Sequence, residues 1–452
     1  MTTRDHGARA SLSAGAVASM LLFVPAMALI VAGNNNGRAA SDSIAYHERF
    51  IRALADSFPW FDLSNPLTAT TPGYHIILAT VAQFVGDSNT ALRLVSMLVG
   101  CAFVGLVAAW LARRVGVARG VLFTLPLIAS IYVVGSAAWL LPDNLAWMLV
   151  AAILFLTLRE PKRAQHLIVA SLLLVLLVCV RQVHIWAAAM VWVGGWVLVG
   201  SGARPARGFV DRAFRTLPWV LATVPAFVVL ALFVRHWGGL TPPRFQSELQ
   251  GVNLATPAFI LLQVSVLAIG FAPWLWGTLT RAWRDERGVL VLALILGVLL
   301  AAVPETTLDP AAGRFSGWWA IVGMAPTIAR RTSVLMLFAA PLGAVVLASA
   351  LLGVTTRQRV ILTVSIVAFI AAVSSNYYSW QRYHEPFLLV VLATLCALER
   401  DRGESRSSWR WLFPIGLVLL HAGITMQGLS ANPVALDTLP APNHRMPGEV
   451  FP

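Results

Sequence analysis

The chain has 452 residues, of which 58% are hydrophobic and 12% are charged. Soluble domains carry about twice that share of charge, so the composition excludes a large soluble domain. The formal net charge of +13 would suit a nucleic-acid partner in a soluble protein, but here the basic residues cluster in short loops between apolar runs. That distribution is the orientation signal of membrane proteins, and we expect no nucleic-acid partner.

Apolar runs of roughly 17 to 22 residues recur along the chain, and each is long enough to cross the hydrocarbon core of a bilayer as a helix. The sequence predicts an all-α integral membrane protein with about 13 transmembrane helices, in which residues 1–452 form a single polytopic domain. We expect the first run to be an uncleaved signal anchor rather than a cleaved secretory signal. The runs lie at approximately 14–32, 90–112, 118–134, 143–158, 164–180, 183–200, 217–235, 256–276, 288–303, 332–353, 358–373, 386–398 and 410–428.

Six basic loops fall at every second connection between these runs. If all six face the cytoplasm, the N-terminus is cytoplasmic, the protein lies in the plasma (inner) membrane, and the longer loops face outward. The short apolar stretch 72–86 would invert this order if it crossed, so we predict an interfacial or re-entrant helix there. The predicted outer segments are 33–89, 135–143, 236–255, 304–331, 374–385 and the tail 429–452.

The first outer loop, 33–89, is the longest and is the predicted catalytic loop; the remaining spans lie within 90–428. It contains "SDSIAYHERF" (41–50), which places four ionisable groups together just after the first span. From Ser43 to Phe58 the apolar residues follow a helical period, which predicts an amphipathic helix at the membrane surface. Asp42 has two interpretations, an N-cap of that helix or a general base that faces an outer cavity. Asp143 likewise either caps the next span or faces the cavity.

Two arginines lie at predicted outer ends of spans. Arg181 suits a phosphate group because its planar guanidinium binds two oxygens at once, and the alternative is an arginine that reaches from a helix end to water. Arg382 is the second candidate for phosphate binding, and the alternative is a structural pair with Glu385. Tyr74 and His75 have the further alternative of interfacial anchors. Additional candidate substrate contacts are His47, Asp62, Tyr74, His75, His184, His384 and Glu385.

Three stretches resemble a known family in the same order along the chain. "FDLSNPLTATTPGYH" (61–75) resembles "WDP-x-IT-TxPGLY", "RQVHIW" (181–186) resembles "RQTNI-W", and "WQRYHEPFLLVVLA" (380–393) resembles "EFRY-ILPFLL". These motifs are typical of the dolichyl-phosphate-glucose-dependent alpha-1,2-glucosyltransferases. That family belongs to the GT-C superfamily of integral-membrane glycosyltransferases. The order of a first span, an acidic residue and an amphipathic helix is also similar.

The resemblance implies transfer of a hexose, such as glucose, from a polyprenyl-phosphate sugar to a hydroxyl of a glycan or lipid-linked acceptor at the outer face, among membrane lipids. Asp42 matches the acidic position of the family, which implies the catalytic role. The family has Asp-Glu there and this chain has Asp42-Ser43. No metal ligand set is therefore predicted, although a divalent cation remains an option. "ETTLDPAAGRFSGWW" stands where the family has "LLADNRHYTFY", so we expect a bacterial relative with another acceptor.

A polytopic transporter or flippase for a lipid-linked or anionic substrate is the alternative function. Such proteins also combine many spans with charges at membrane depth. They typically show internal repeats or paired broken helices, and the sequence has no convincing repeat. A long loop between the first two spans is not expected of a transporter, so we favour the transferase.

Overall fold

The computed structural model describes residues 3–64, 66–159, 165–201, 208–249, 251–399 and 408–429. From residue 430 on, the predicted outer tail lies outside the described residues. The first part of the chain contains α1 (Thr3–Val31), α2 (Arg38–Asp42), a π-helix (Ser43–His47), α3 (Glu48–Asp56), α4 (Gly73–Val85), α5 (Asn89–Val115), α6 (Val117–Ala129), α7 (Ile131–Ala138), α8 (Asp143–Leu158), α9 (Gln165–Val180), a 3-10 helix (Gln182–Ala187) and α10 (Ala188–Ser201).

The second part continues with helices and one small hairpin. Its elements are α11 (Phe209–Leu221), α12 (Val224–Trp237), α13 (Pro243–Leu249), α14 (Thr256–Leu267), a 3-10 helix (Ala268–Phe271), α15 (Ala272–Asp285), α16 (Arg287–Ala302), a 3-10 helix (Pro310–Ala312), α17 (Trp318–Met324), β1 (Thr327–Ile328), β2 (Thr332–Ser333), α18 (Val334–Leu352), α19 (Thr356–Ser374), a 3-10 helix (Gln381–Tyr383), α20 (Glu385–Leu398), a 3-10 helix (Ser408–Trp411) and α21 (Leu412–Leu429). The two strands pair antiparallel.

The predicted class, an all-α multi-pass membrane protein, is confirmed. Within the described residues seven helices are long and apolar enough to cross a membrane, and two bent pairs raise that number to nine. The pairs are α6–α7, bent by 73°, and α11–α12, bent by 54°. Four shorter apolar helices of the described residues, α8, α9, α16 and α20, correspond to the remaining predicted runs, and a fifth, α4, corresponds to the stretch 72–86. The count of about 13 spans, and the interfacial position of α4, stay predictions.

Small residues let α1 and α5 pack closely against each other. Ala14 and Ala18 of α1 are fully buried, and the Ser19 hydroxyl donates to the Cys101 carbonyl at 2.8 Å. A Cβ atom at Gly105 would lie 2.6 Å from Ser19 Oγ, closer than real Cβ contacts. Close contact between small residues is a common way for membrane helices to associate. This contact fixes the point at which α1 ends and the first loop begins.

The predicted outer loops meet at one end of the helical bundle. The indole of Trp139 donates to the Asn34 carbonyl at 3.1 Å, which joins the loop before α8 to the first loop. The side chain of Asn253 donates to the Tyr377 carbonyl at 2.9 Å, which joins the loop before α14 to the loop before α20. This grouping agrees with the predicted topology, and the side of the membrane that this end faces stays a prediction from the charge distribution.

The first loop begins with one continuous helix from Arg38 to Asp56, in which residues 43–47 form a π-helical turn. The predicted amphipathic helix is present, but Glu48 does not lie on a solvated face. Glu48 is 6% exposed and pairs with Arg93 of α5 at 3.0 Å. Because a buried carboxylate needs a cation and hydrogen bonds, this pair fixes the helix against the bundle.

Candidate active site

Asp42 lies at the junction of α2 and the π-helical turn. The predicted N-cap role is wrong, because helix precedes Asp42 and its side chain makes no capping hydrogen bond. Its carboxylate instead forms an ion pair with the guanidinium of Arg382, and both side chains are about a quarter exposed, at 23% and 25%. π-Helical turns inside α-helices frequently mark functional sites. The turn here places a partly exposed carboxylate at the end of the bundle where the predicted outer loops meet.

Arg382 comes from the 3-10 turn before α20, and its guanidinium is held by aromatic rings as well as by Asp42. The guanidinium carbon lies 4.8 Å from the ring centre of Trp380 and 5.1 Å from that of Tyr383. One guanidinium nitrogen donates to the Tyr383 hydroxyl at 3.2 Å. The alternative prediction, an Arg382–Glu385 pair, is wrong, because the ion-pair partner is Asp42.

Arg181 forms a second ion pair beside the first. It has extended backbone between α9 and the following 3-10 helix, and its guanidinium pairs with Asp143, the first residue of α8. The side chains are 10% and 13% exposed, and Asp143 makes no capping hydrogen bond, so the predicted cap is wrong here too. The ring of Tyr383 is 5.1 Å from the Arg181 guanidinium carbon. Tyr383 therefore lies between the two phosphate candidates.

Arg38 belongs to the same cluster and was missed by the sequence analysis. Its guanidinium carbon lies 5.2 Å from the ring centre of Phe315 and 5.6 Å from that of Trp380. Its charge is attracted by Asp42 and repelled by Arg382. The available signal was its spacing, because residues four apart on a helix share a face, and Arg38 precedes Asp42 by four.

Two histidines of the first loop lie next to the cluster. His47 Nδ1 and His75 Nε2 are 2.8 Å apart, so one hydrogen is shared between them. Burial, together with the charges of Arg382 and Arg181, lowers the pKa of His47 to about 3. The imidazole of His47 is therefore neutral at physiological pH. The structure supports a position near the site for both residues, and their contact with a substrate stays a prediction.

Glu385 is fully buried behind Arg382 and orders the turn that carries it. Its carboxylate accepts hydrogen bonds from Ser130 Oγ and from Gln381 Nε2, each at 2.5 Å. The amide oxygen of Gln381 accepts from the Trp318 backbone N–H at 2.9 Å. Glu385 therefore connects the break between α6 and α7, the arginine turn and the loop before α17. These contacts indicate a positioning role rather than direct substrate contact.

The other two predicted histidines pack in the core. His184 Nδ1 accepts from the Trp186 indole at 3.3 Å, and the His184 ring is 4.7 Å from that of Trp147. His384 Nδ1 lies 3.1 Å from the side-chain nitrogen of Gln263. Both histidines are at most 3% exposed. His184 still lies close enough to Arg181 to feel its charge.

Asp62 is not brought to the cluster, whereas Tyr74 lies at its edge, close enough to Asp143 to feel its charge. Asp62 is exposed and accepts hydrogen bonds from the Ser64 N–H at 2.9 Å and hydroxyl at 2.6 Å, which lower the pKa of its carboxyl group. Tyr74 is 2% exposed and donates its hydroxyl hydrogen to Ser96 Oγ at 3.0 Å. The interfacial-anchor alternative is therefore wrong for Tyr74, and it is wrong for His75 as well, which is 0% exposed. Both rings are part of the packed interior.

The residues around Asp42 do not assemble a metal site. Within the described ranges, no group of three or more His, Cys, Asp and Glu side chains lies close enough together to hold a metal ion. Ser43, at the position of the family's second carboxylate, donates to Glu48 at 3.0 Å. The groups available here are two carboxylates, Asp42 and Asp143, beside several guanidiniums.

Three buried polar N–H groups in the cluster have no hydrogen-bond partner among the described residues. They are the Nε atoms of Arg181 and Arg382 and the indole nitrogen of Trp380. Buried donors are normally satisfied, and leaving one unpaired costs about 1–3 kcal/mol. Unpaired donors beside two ion pairs favour an anionic ligand, because an anion provides several acceptor oxygens at once.

No protein-family model matches the sequence, and no curated protein matches it. Two solved structures of ArnT from Cupriavidus metallidurans are similar to the chain. The structure bound to undecaprenyl phosphate has a TM-score of 0.46 and 14% identity, covering 90% of this chain and 62% of its own length. The apo structure has a TM-score of 0.39 and 14% identity, covering 85% and 76%. At these values the likeness assigns neither an activity nor a site residue to this chain.

Proposed function

We propose that this chain is an integral-membrane glycosyltransferase of the GT-C type. It transfers a hexose, such as glucose, from a polyprenyl-phosphate sugar to a hydroxyl of a glycan or lipid-linked acceptor at the outer face. One observation carries the proposal. Asp42 and Arg382, selected separately as base and phosphate ligand, are 340 residues apart in sequence and form an ion pair at one end of the bundle.

Each step of the transfer needs a group that the cluster contains. Asp42 takes the proton of the acceptor hydroxyl as that oxygen attacks the anomeric carbon. The bond between the anomeric carbon and the phosphate oxygen breaks, and polyprenyl phosphate leaves with its electron pair. Arg382 and Arg181 stabilise the added negative charge, and a planar guanidinium suits a phosphate better than an ammonium group does.

The two carboxylates hold these arginines before substrate binds. A donor phosphate must therefore replace Asp42 on Arg382 and Asp143 on Arg181. The exchange is feasible because the first pair is about a quarter exposed and both arginines keep an unpaired Nε–H. It also leaves the Asp42 carboxylate free of its cation and able to accept a proton when the donor is present.

The two bent helix pairs, α6–α7 and α11–α12, can be compared with the paired broken helices that are typical of transporters. Paired broken helices of a transporter contribute similar polar groups to one site. Here the break between α6 and α7 bonds to Glu385 through Ser130, whereas at the break between α11 and α12 Thr223 accepts from the indole of Trp192. The two breaks lack a common charged partner, which favours the transferase.

The test uses purified protein in liposomes with radiolabelled polyprenyl-phosphate glucose and a mixed glycan and lipid-linked acceptor pool. Wild type should release polyprenyl phosphate and label the acceptor. Asp42→Asn should fold normally and lose transfer by a factor of at least about 100, in line with loss of a general base. Asp62→Asn is the matched control, because Asp62 is an exposed carboxylate of the same loop. Full activity of Asp42→Asn would refute the mechanism, and movement of label across the membrane without bond formation would favour transport.

A further inference from the structure

Arg38 differs from the other two arginines of the cluster in how its hydrogen-bond donors are used. Arg382 and Arg181 each form an ion pair with a carboxylate. The guanidinium of Arg38 lies over the rings of Phe315 and Trp380, and among the described residues its side chain has no hydrogen-bond or ion-pair partner. A guanidinium carries five N–H donors, so all five remain available to a ligand.

The two aromatic rings beside Arg38 orient its N–H donors and leave them free to bind a ligand. Rings that lie against the flat face of a guanidinium restrict its rotation while its edges, which carry the N–H groups, stay free. Phe315 comes from the loop before α17 and Trp380 from the loop before α20, so two separate loops hold the group in place. Arg38 is also exposed, whereas Arg181 is buried.

The neighbours of Arg38 show which ligand it suits. Asp42, the candidate base, lies one helical turn away, and Arg382, the candidate phosphate ligand, is close enough to repel it. A second cation so near Arg382 costs free energy unless an anion lies between or beside them. A phosphate oxygen would satisfy both guanidiniums at once.

We propose that Arg38 is the first contact of the donor phosphate. The inference rests on the proposed function and adds a binding residue to the same site. A phosphodiester that reaches the cluster meets Arg38 with its donors free, and binds there before Arg382 and Arg181 exchange their carboxylates for phosphate oxygens. Phe315 and Trp380 contribute by holding the planar guanidinium in the orientation that receives the phosphate.

The experiment measures equilibrium binding of farnesyl phosphate, a short polyprenyl monophosphate, to the full-length protein in detergent. Arg38→Gln should weaken binding by about 10- to 100-fold, the effect of losing one charged hydrogen-bonding contact. Arg330→Gln is the matched control, since Arg330 is an exposed arginine at the turn of the hairpin between β1 and β2. Arg38→Gln should also reduce the salt dependence of binding, which a purely structural role would leave unchanged.

Two further variants keep the test decisive if Arg38→Gln does not fold. Arg38→Lys retains the charge without the planar fork, and Phe315→Leu removes one of the two rings; each should weaken binding at least about threefold. Wild-type affinity in all variants that fold would overturn the role of Arg38. If wild type both transfers sugar and binds farnesyl phosphate while Arg38→Gln binds equally well, only the assignment of Arg38 fails. If wild type does neither, the proposed function fails and the assignment with it.

Discussion

The ion pair between Arg181 and Asp143 gives the sharpest test of how the cluster is held. Removing one partner of a fully buried ion pair costs about 3–5 kcal/mol, because the other charge is left without compensation. Here the side chains are 10% and 13% exposed, so water relieves part of that penalty. We expect Asp143→Asn and Arg181→Gln each to lower the free energy of unfolding by about 2–3 kcal/mol.

The double variant separates this pair from ordinary loss of packing. With both charges removed, neither is left unpaired, so Asp143→Asn with Arg181→Gln should cost about as much as one single variant. The measurement is reversible unfolding in mixed micelles, followed by tryptophan fluorescence. Asp211→Asn is the control, because the pair Arg215–Asp211 is exposed by 44% and 35% and exposed pairs contribute about 0–1 kcal/mol. Strictly additive losses at Arg181 and Asp143 would refute the reasoning.

The same two variants should have opposite effects on donor affinity. Arg181→Gln removes a phosphate ligand and should raise the donor KM by about 10- to 100-fold. Asp143→Asn frees the Arg181 guanidinium for phosphate and should lower the donor KM several-fold, although it destabilises the fold. A rise in KM for both variants would indicate that the pair only maintains structure.

Three further outcomes are expected. Gly105→Leu should lower the free energy of unfolding by about 1–3 kcal/mol in the same micelle assay, because a Cβ atom there meets Ser19 Oγ at 2.6 Å, and overpacking has that cost; wild-type stability would contradict the tight contact of α1 with α5. The pKa of the His47 imidazole is lowered to about 3 in the folded protein, whereas an unfolded histidine takes up a proton at about pH 6.5. The free energy of unfolding should therefore fall as the pH drops from about 6.5 towards 3, and His47→Gln should make that fall less steep. Parallel pH profiles for wild type and His47→Gln would contradict this role of His47. In a cysteine-free background, Ala118→Cys should react with a membrane-impermeant thiol reagent only from the cytoplasm, and Ile328→Cys should react only from outside. If both cysteines are labelled from the same side of the membrane, the predicted topology is wrong.

Much of the fold could be predicted because membrane crossing imposes strong constraints on sequence. A helix must supply about 20 apolar residues to span the bilayer, so each predicted run reappears as a helix or part of one. The runs that form short or bent helices were harder to classify. Run length alone does not show the 73° bend between α6 and α7, where Ser130 with extended backbone interrupts the helix.

The sequence predicted Asp42, Arg181 and Arg382 as site residues, but it did not predict which ion pairs they form. Asp42, Arg181 and Arg382 stood out because charge beside apolar spans is costly and is kept for a reason. Their partners depend on contacts between distant segments, which no local spacing encodes. The cap assigned to Asp42 failed because the helix begins earlier, at Arg38, a residue of the predicted catalytic loop that the sequence analysis did not single out.

The net charge of the cluster with bound donor is zero before and after the proposed reaction, and this constrains the timing of the proton transfer and the departure of the phosphate. Three guanidiniums and two carboxylates leave one net positive charge, which a phosphodiester with one negative charge neutralises. When the sugar is transferred, the leaving phosphate gains a second negative charge while Asp42 becomes neutral by taking the acceptor proton. The site stays neutral only if both events coincide. Binding of the donor has by then moved Arg382 from Asp42 to the phosphate. Arg382 therefore stabilises the charge of the leaving phosphate while the freed Asp42 carboxylate accepts the proton, which couples the two events.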